Sequence, residues 1–212
     1  MKKENITAGI LAGGKSSRMG ENKAYLKFQD KSFLEIVLEA TKGFACQIVS
    51  VDDVGKYQGK LPDCVTMAQD ELHEIGPVEG IYQILSCMTT QAALITATDM
   101  PLVTAELFER MAQQYDGEGC LVLTCEGKPQ PLCAIYSKDC LPVLEQFRIN
   151  GIRKPRLVFE QIPSKYLAIE QLGYDDCAVC NVNTPREYKV LREKTESGNK
   201  GCISMSSTGR KN

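Results

Sequence analysis

Ala8-Gly-Ile-Leu-Ala-Gly-Gly-Lys-Ser-Ser-Arg-Met-Gly-Glu-Asn-Lys23 is the stretch on which the fold turns. Residues 6–11 form an apolar run with strand character, and a Gly/Ser-rich loop follows from Ala12 to about Asn22. Two readings compete. Gly9 to Ser16 matches the phosphate-binding pattern G-x-x-x-x-G-K-[ST], and the apolar residues 93–98 followed by Asp99 match a strand whose terminal Asp would hold Mg²⁺ in P-loop proteins. A P-loop, however, leaves its strand at the first glycine and opens a helix at the Lys. Here Ile10-Leu11-Ala12 continues the apolar run past Gly9, and Gly20 would fall within the first two turns of the helix. An interior glycine costs about 1 kcal/mol relative to Ala, and no apolar stripe offsets it here. The second reading starts the loop at Ala12. Gly13 and Gly14, lacking Cβ, let backbone N–H groups approach a triphosphate, while Arg18 and Lys23 supply positive charge.

Outward from this stretch, strands and helices alternate. A helix begins at Ser32, where Ser32-Phe-Leu-Glu35 has capping-box spacing and Phe33, Ile36, Val37 and Ala40 recur at helical intervals. Strands are expected over 48–51 and 65–68, with Asp70 just past the second. After the Gly76-Pro77 turn, residues 78–88 read as a helix. Residues 92–97 read as a buried strand with Asp99 at its end, and Thr104 caps a helix over 105–114. Strands over 120–125 and 132–136 are joined by Gly127-Lys-Pro-Gln-Pro131. Residues 141–147 and 157–161 look helical, and 166–169 and 178–182 look like strands. Thr184-Pro-Arg-Glu187 opens a last helix. Such alternation implies an α/β fold, a Rossmann-like, doubly wound, mostly parallel sheet in three layers. Ligands of such sheets sit beyond the carboxyl ends of the strands, where Asp70, Asp99 and the 12–22 loop all fall. Residues 1–194 are expected to form a single domain and 195–212, rich in Ser, Gly, Lys and Asn, a disordered tail.

Composition narrows the function classes. The 212 residues carry a net charge of −2 with no basic block, which gives nucleic-acid binding no electrostatic support. No run approaches the roughly 18 apolar residues of a membrane span. The charged start, Met1-Lys-Lys-Glu-Asn5, reads as the lead into a strand rather than a signal peptide, so the expected location is cytoplasmic. Most of the ten cysteines lie in apolar runs (Cys120, Cys125, Cys133 and Cys180 among them) and read as reduced core residues. Cys177-Ala-Val-Cys180 has no second pair, so core packing outweighs a metal or redox role.

Leu11-Ala-Gly-Gly-Lys-Ser-Ser-Arg-Met-Gly-Glu-Asn-Lys23 resembles the signature of the molybdenum cofactor guanylyltransferases. Gly76-Pro-Val-Glu-Gly80 is similar to that family's Gly-Pro-Leu-Ala-Gly turn, and Thr98-Asp-Met-Pro101 to its metal-site segment. Pro129-Gln-Pro-Leu132 and Asn181-Val-Asn-Thr-Pro185 are similar to two later motifs. The resemblance implies a Rossmann-like nucleotidyltransferase fold and transfer of GMP from GTP to molybdopterin with release of pyrophosphate. It implies Mg²⁺ as the cofactor. Cofactor-delivery proteins or chaperones of recipient molybdoenzymes would be further partners. By the same resemblance Leu11, Ala12, Gly13 and Gly14 line the nucleotide. Lys23 contacts its phosphates, Asp70 binds the nucleotide, and Asp99 holds Mg²⁺ and phosphates together. Asn181 and Asn183 face the acceptor or a second metal contact. Arg18 is added from charge alone, as a phosphate or leaving-group contact.

This chain departs from the family pattern in two places. Ser50 stands where some members have Asn, which suggests a smaller contribution. Glu79 replaces a small residue and would bring negative charge near the cleft. His73, the single histidine, reads as a solvated loop residue. Relatives that use cytidine triphosphate carry Leu-Ala-Ala-Gly; Gly13 favours guanine by leaving room for the larger base. Three alternatives therefore stand beside guanylyl transfer: a cytidylyltransferase acting on the same or a related acceptor, a P-loop NTPase, and a non-catalytic nucleotide-binding module.

Overall fold

The computed structural model describes residues 1–13 and 22–196. Its main sheet has seven strands in the order β5-β4-β1-β6-β8-β7-β9. These are β1 (Thr7–Leu11), β4 (Gln47–Val51), β5 (Val65–Gln69), β6 (Ala92–Ala97), β7 (Cys120–Cys125), β8 (Lys128–Ser137) and β9 (Ser164–Ala168). Strand β8 runs against its neighbours β6 and β7, and the other pairings are parallel. A two-residue turn at Glu126-Gly127, both with positive φ (49° and 71°), reverses the chain into β8. Most of the segment expected to join two strands, 127–131, is thus itself strand. The small β2–β3 hairpin (Lys27–Phe28 and Lys31–Ser32) is a second sheet.

The helices α1 (Phe33–Ala40), α2 (Pro77–Cys87), α3 (Ala105–Gln114), α4 (Leu141–Ile149) and α5 (Pro185–Glu196) complete the element order. Alternation along β1 divides the interior. Ile6, Ala8 and Ile10 meet Leu34 and Val37 of α1 and Leu107, Phe108 and Met111 of α3. Leu11, with Ile48 and Ile95, meets Ile81, Ile84 and Leu85 of α2 and Leu144 and Phe147 of α4. Three layers result, as expected, about a mostly parallel sheet with a single reversed strand. A third cluster joins Phe28 and Phe33 to Cys177, Val182 and Leu191, laying α5 against the hairpin.

Local chemistry accounts for the helix starts. Ser32 Oγ accepts from the Glu35 N–H (3.2 Å) and Glu35 Oε2 accepts from the Ser32 N–H (2.6 Å), completing the capping box. Thr104 Oγ1 accepts from the Leu107 N–H at 3.1 Å. Two expectations are corrected. Residues 157–160 belong to a 3-10 run, Pro155–Glu160, and Gln161 caps it, so 157–161 is not an α-helix. Residues 178–182 are not a strand: Asp176–Val179 is a 3-10 turn, and the chain then crosses the end of β6, where the Val182 N–H donates to the Asp99 carbonyl at 2.7 Å. The β-branched valines that suggested a strand bury their side chains in two separate clusters.

Among the described residues Cys46, Cys64, Cys87, Cys120, Cys125, Cys133 and Cys140 are free thiols. Cys120, Cys125, Cys133, Cys140 and Cys177 are buried, and Cys180 is half-buried. No described helix is long and apolar enough to cross a membrane.

Candidate active site

The carboxyl ends of β1, β4, β5 and β6 open into a cavity of about 780 Å³, within the range of small-molecule sites. Leu11, Ala12, Gly13, Asn22, Lys23, Ser50, Asp52, Asp70, Thr98 and Asp99 are among the residues that face it.

Register holds the strand ends together. The Ala12 N–H donates to Ser50 O (3.0 Å) and the Thr98 N–H to Leu11 O (3.0 Å), so β4, β1 and β6 end in line. Gly9 is paired with Ile48 and Ile95 inside the sheet. A Cβ there would come within 2.6 Å of Ile84 and 2.7 Å of Ile95. Gly9 is therefore a strand glycine that lets α2 approach, and the chain does not leave the sheet there as a P-loop requires. Gly14, Lys15 and Arg18 lie outside the described residues.

Lys23 opens a short 3-10 turn, Lys23–Tyr25, which Asn22 caps by accepting from the Ala24 N–H at 3.1 Å. Lys23 Nζ donates to Asn183 Oδ1 (2.8 Å) and stands 3.7 Å from Asp99 Oδ2. The other Asp99 oxygen, Oδ1, is buried with no hydrogen-bond partner, and so is Asn181 Oδ1. Lys23, Asp99 and Asn183, spread over 160 positions of sequence, thus meet at one place, and the bond from the Val182 N–H to the Asp99 carbonyl brings the backbone next to Asn181 there. Burial pushes the Asp99 carboxyl up, against the opposing pull of Lys23.

A second acidic position lies across the cleft. Ser50 Oγ donates to Asp70 Oδ1 at 2.9 Å, and the Asp70 N–H donates to Val51 O at 2.9 Å. Burial raises Asp70 to about 6, the Ser50 hydrogen bond opposes this, and Glu79 and Asp52 add to the rise. Ser50 therefore contributes more than its departure from the family pattern suggested: it holds Asp70. Gly13 packs under this pair, since a Cβ on it would lie 3.1 Å from the Asp52 N and 3.5 Å from Asp70 Oδ2. Glu79 does bring negative charge near the cleft, where it adds to the rise at Asp70, but it does not line it: it is fully buried behind the cleft wall, paired with Arg148.

Sequence reasoning passed over Tyr57, Asp52, Arg153 and the position of His73. Tyr57 is buried; its hydroxyl donates to Ala12 O (2.6 Å) and accepts from Asn22 Nδ2 (3.0 Å), bracing both ends of the glycine loop. Nothing in the spacing around Tyr57 marks it. Asp52 and Arg153 face the cavity, and His73, though exposed, belongs to its wall.

Three comparisons bear on this geometry. The family model for the MobA-like NTP transferase domain matches residues 8–165. The chain belongs to the MobA-like NTP transferase family. It is a nucleotidyltransferase. It is 34% identical over 194 residues to a probable molybdenum cofactor guanylyltransferase of Carboxydothermus hydrogenoformans, covering 89% of this chain and 95% of that one. It is 32% identical over 193 residues to a protein of the same name from Flavobacterium johnsoniae, covering 89% and 97%. Among solved structures, molybdopterin-guanine dinucleotide biosynthesis protein A of Archaeoglobus fulgidus superposes with a TM-score of 0.78 at 25% identity, over 91% of this chain and all of that one. The MobA-like match spans β1 through the start of β9, so it includes Lys23, Asp70 and Asp99 but stops short of Asn181 and Asn183.

Proposed function

We propose that the protein transfers GMP from GTP to the terminal phosphate of molybdopterin in the cytoplasm, releasing pyrophosphate and forming the guanine dinucleotide form of the cofactor. The observation that carries this reading is the meeting of Lys23, Asp99 and Asn183 at the mouth of β6, with the buried Asp99 Oδ1 left without a partner. The names of the relatives support the choice of GTP and molybdopterin.

Asp99 Oδ1 is a hard oxygen donor of the type Mg²⁺ takes, and as a buried carboxylate oxygen without a protein partner it fits an ion or an ion-bound water. Among the described residues no cluster of three or more His, Cys, Asp or Glu is arranged to hold a metal. Mg²⁺ keeps several waters and shares phosphate oxygens, so it would need few protein ligands here. When bound, the ion neutralises charge on the phosphates and stabilises the departing pyrophosphate.

The chain's own residues supply the rest. Leu11, Ala12 and Gly13, continuing into Gly14, border the nucleotide, and Asp70 contacts it across the cleft. Lys23 neutralises its phosphates, and Arg18 adds a second cation. Asn181 and Asn183 orient the acceptor. An oxygen of the acceptor phosphate bonds to the α-phosphorus as the bond from that phosphorus to the bridging oxygen breaks, and pyrophosphate leaves. A phosphate monoester with a second pKa of about 6 is already largely ionised at neutral pH, so no general base is required. The work is positioning and charge stabilisation. Cofactor-delivery proteins, or chaperones of recipient molybdoenzymes, are the partners such a reaction calls for.

The test is turnover in Lys23→Ala and Asp99→Ala. Each is expected to lose about 10²–10³ in kcat, the size of a lost transition-state charge contact. Asp99→Ala should melt no lower than wild type, because its buried carboxylate is relieved. Near-normal turnover in either variant overturns the assignment. Lys15→Ala is expected to be mild, whereas a P-loop protein would be crippled by it.

A further inference from the structure

Behind the cleft wall formed by residues 70–77 lies a buried charged cluster. Glu79, in the first turn of α2, is fully buried. Its Oε1 accepts from the backbone N–H groups of Glu71 (3.0 Å) and Leu72 (3.2 Å), from Gln83 Nε2 (2.9 Å) and from Arg148 Nη2 (2.9 Å). Its Oε2 accepts from Arg148 Nε at 2.7 Å. Arg148, from α4, also donates Nη2 to Glu71 Oε2 (2.8 Å), and its guanidinium lies 4.2 Å from the centre of the Tyr82 ring. Burial pushes the Glu79 carboxyl up, yet the hydrogen bonds outweigh it and the net shift is downward. The same bonds hold Arg148 well above its usual range.

Cohesion of the fold does not explain this cluster. Helices α2 and α4 already share the apolar core of Ile81, Ile84, Leu144 and Phe147. A buried ion pair offers little advantage over apolar residues of like volume. What the cluster does that apolar residues could not is accept two consecutive backbone N–H groups. Those groups follow directly on Asp70, and Leu72, His73 and Glu74 behind them line the cavity. Residues 71–74 are exposed, and Glu74 (φ 67°) and Gly76 (φ 72°) adopt left-handed backbone. Such a segment keeps one shape only if something outside it fixes it. Asp70 is held from one side by Val51 and Ser50, and from the other by Glu79 through Glu71 and Leu72.

We propose that Glu79, through its acceptor oxygen, is a positioning residue that sets Asp70 and the 71–76 wall in the geometry that receives the nucleotide, and so governs nucleotide affinity rather than the rate of the chemical step. The inference rests on the nucleotide reading of this cleft.

Two paired substitutions separate positioning from bulk stability, because each removes both charges and strands neither. Glu79→Gln with Arg148→Met keeps an amide oxygen to accept the two N–H groups; Glu79→Ala with Arg148→Met does not. Affinity for GTP with Mg²⁺ is read by calorimetry, amide exchange at Glu71 and Leu72 by NMR, and turnover at saturating substrates beside them. The Gln/Met pair is expected to bind within about twofold of wild type, and the Ala/Met pair to bind about tenfold more weakly with faster exchange, both with kcat little changed, as for loss of uniform binding. Equal affinity in the two pairs, alongside a wild type that binds GTP, overturns the positioning role and leaves the nucleotide reading intact. A wild type that binds none of GTP, CTP, ATP and UTP overturns both. Should the Ala/Met protein fail to fold, Glu79→Leu with Arg148→Met, which fills the space but accepts no N–H, takes its place: weaker binding than the Gln/Met pair supports the role, and equal binding contradicts it.

Discussion

Ser50 Oγ donates to Asp70 Oδ1 at 2.9 Å, joining the ends of two neighbouring parallel strands across the floor of the cleft. Both residues face the cavity, so the hydrogen bond sets where a carboxylate is presented to a ligand. Ser50→Ala is expected to raise Asp70 further above its present value of about 6, because the hydrogen bond favours the charged form. The pH below which GTP affinity falls should move up in the variant. An unchanged pH profile of binding would falsify the role given to Asp70.

Asp70 also links pH to stability. Its carboxyl is raised from 3.8 to about 6 on folding, chiefly by burial. Between those values the folded protein holds a proton that the unfolded chain releases. Asp70 therefore favours folding least above pH 6, and its penalty vanishes below the unfolded value. Asp70→Asn should raise Tm above pH 7 by about 2–4 °C, corresponding to ~1 kcal/mol after allowance for the residue's partial exposure. The difference should shrink to nothing by about pH 4, and a constant offset across that range counts against burial as the cause.

Tyr57→Phe removes a hydroxyl that donates to Ala12 O and accepts from Asn22. The Ala12 carbonyl loses a buried partner, at a cost of about 1–3 kcal/mol. Asn22, which caps the Lys23 turn, loses its side-chain tie. Thermal melting should fall and the KM for GTP should rise together. A variant that melts lower but binds GTP as wild type does would show that the hydroxyl serves the fold alone.

Gly80 is where α2 meets the cleft floor. A Cβ there would stand 2.6 Å from both Leu11 Cδ2 and Ser50 Oγ. Gly80→Ala is expected to cost about 1–3 kcal/mol through overpacking, and to weaken nucleotide binding by displacing Ser50 from Asp70. Chemical denaturation with GTP titration reads both effects.

The parts of the fold that sequence revealed were those written in local chemistry. The Ser32–Glu35 capping box, Thr104 at the start of α3, and Asp99 beyond a run of six buried residues each declare themselves within a few positions. The hidden parts depend on distant chain. Tyr57 braces Ala12 from 45 residues away, in a segment with no periodicity. The β2–β3 turn uses Gln29 and Asp30 at positive φ, without the glycine that normally marks such a turn. Residues 178–182 have strand-like composition, yet they serve to lay Val182 across the Asp99 carbonyl. The charge of Glu79 near the cleft was legible, but its burial against Arg148 was not, because that partner is 69 positions further on.

The most direct measurement mixes the protein with molybdopterin, Mg²⁺ and each of GTP, CTP, ATP and UTP, and assays pyrophosphate against orthophosphate. Pyrophosphate with GTP alone, and only when molybdopterin is present, is the expected result. Orthophosphate without acceptor, or no phosphate release with any of the four, would contradict guanylyl transfer at the Lys23–Asp99 site.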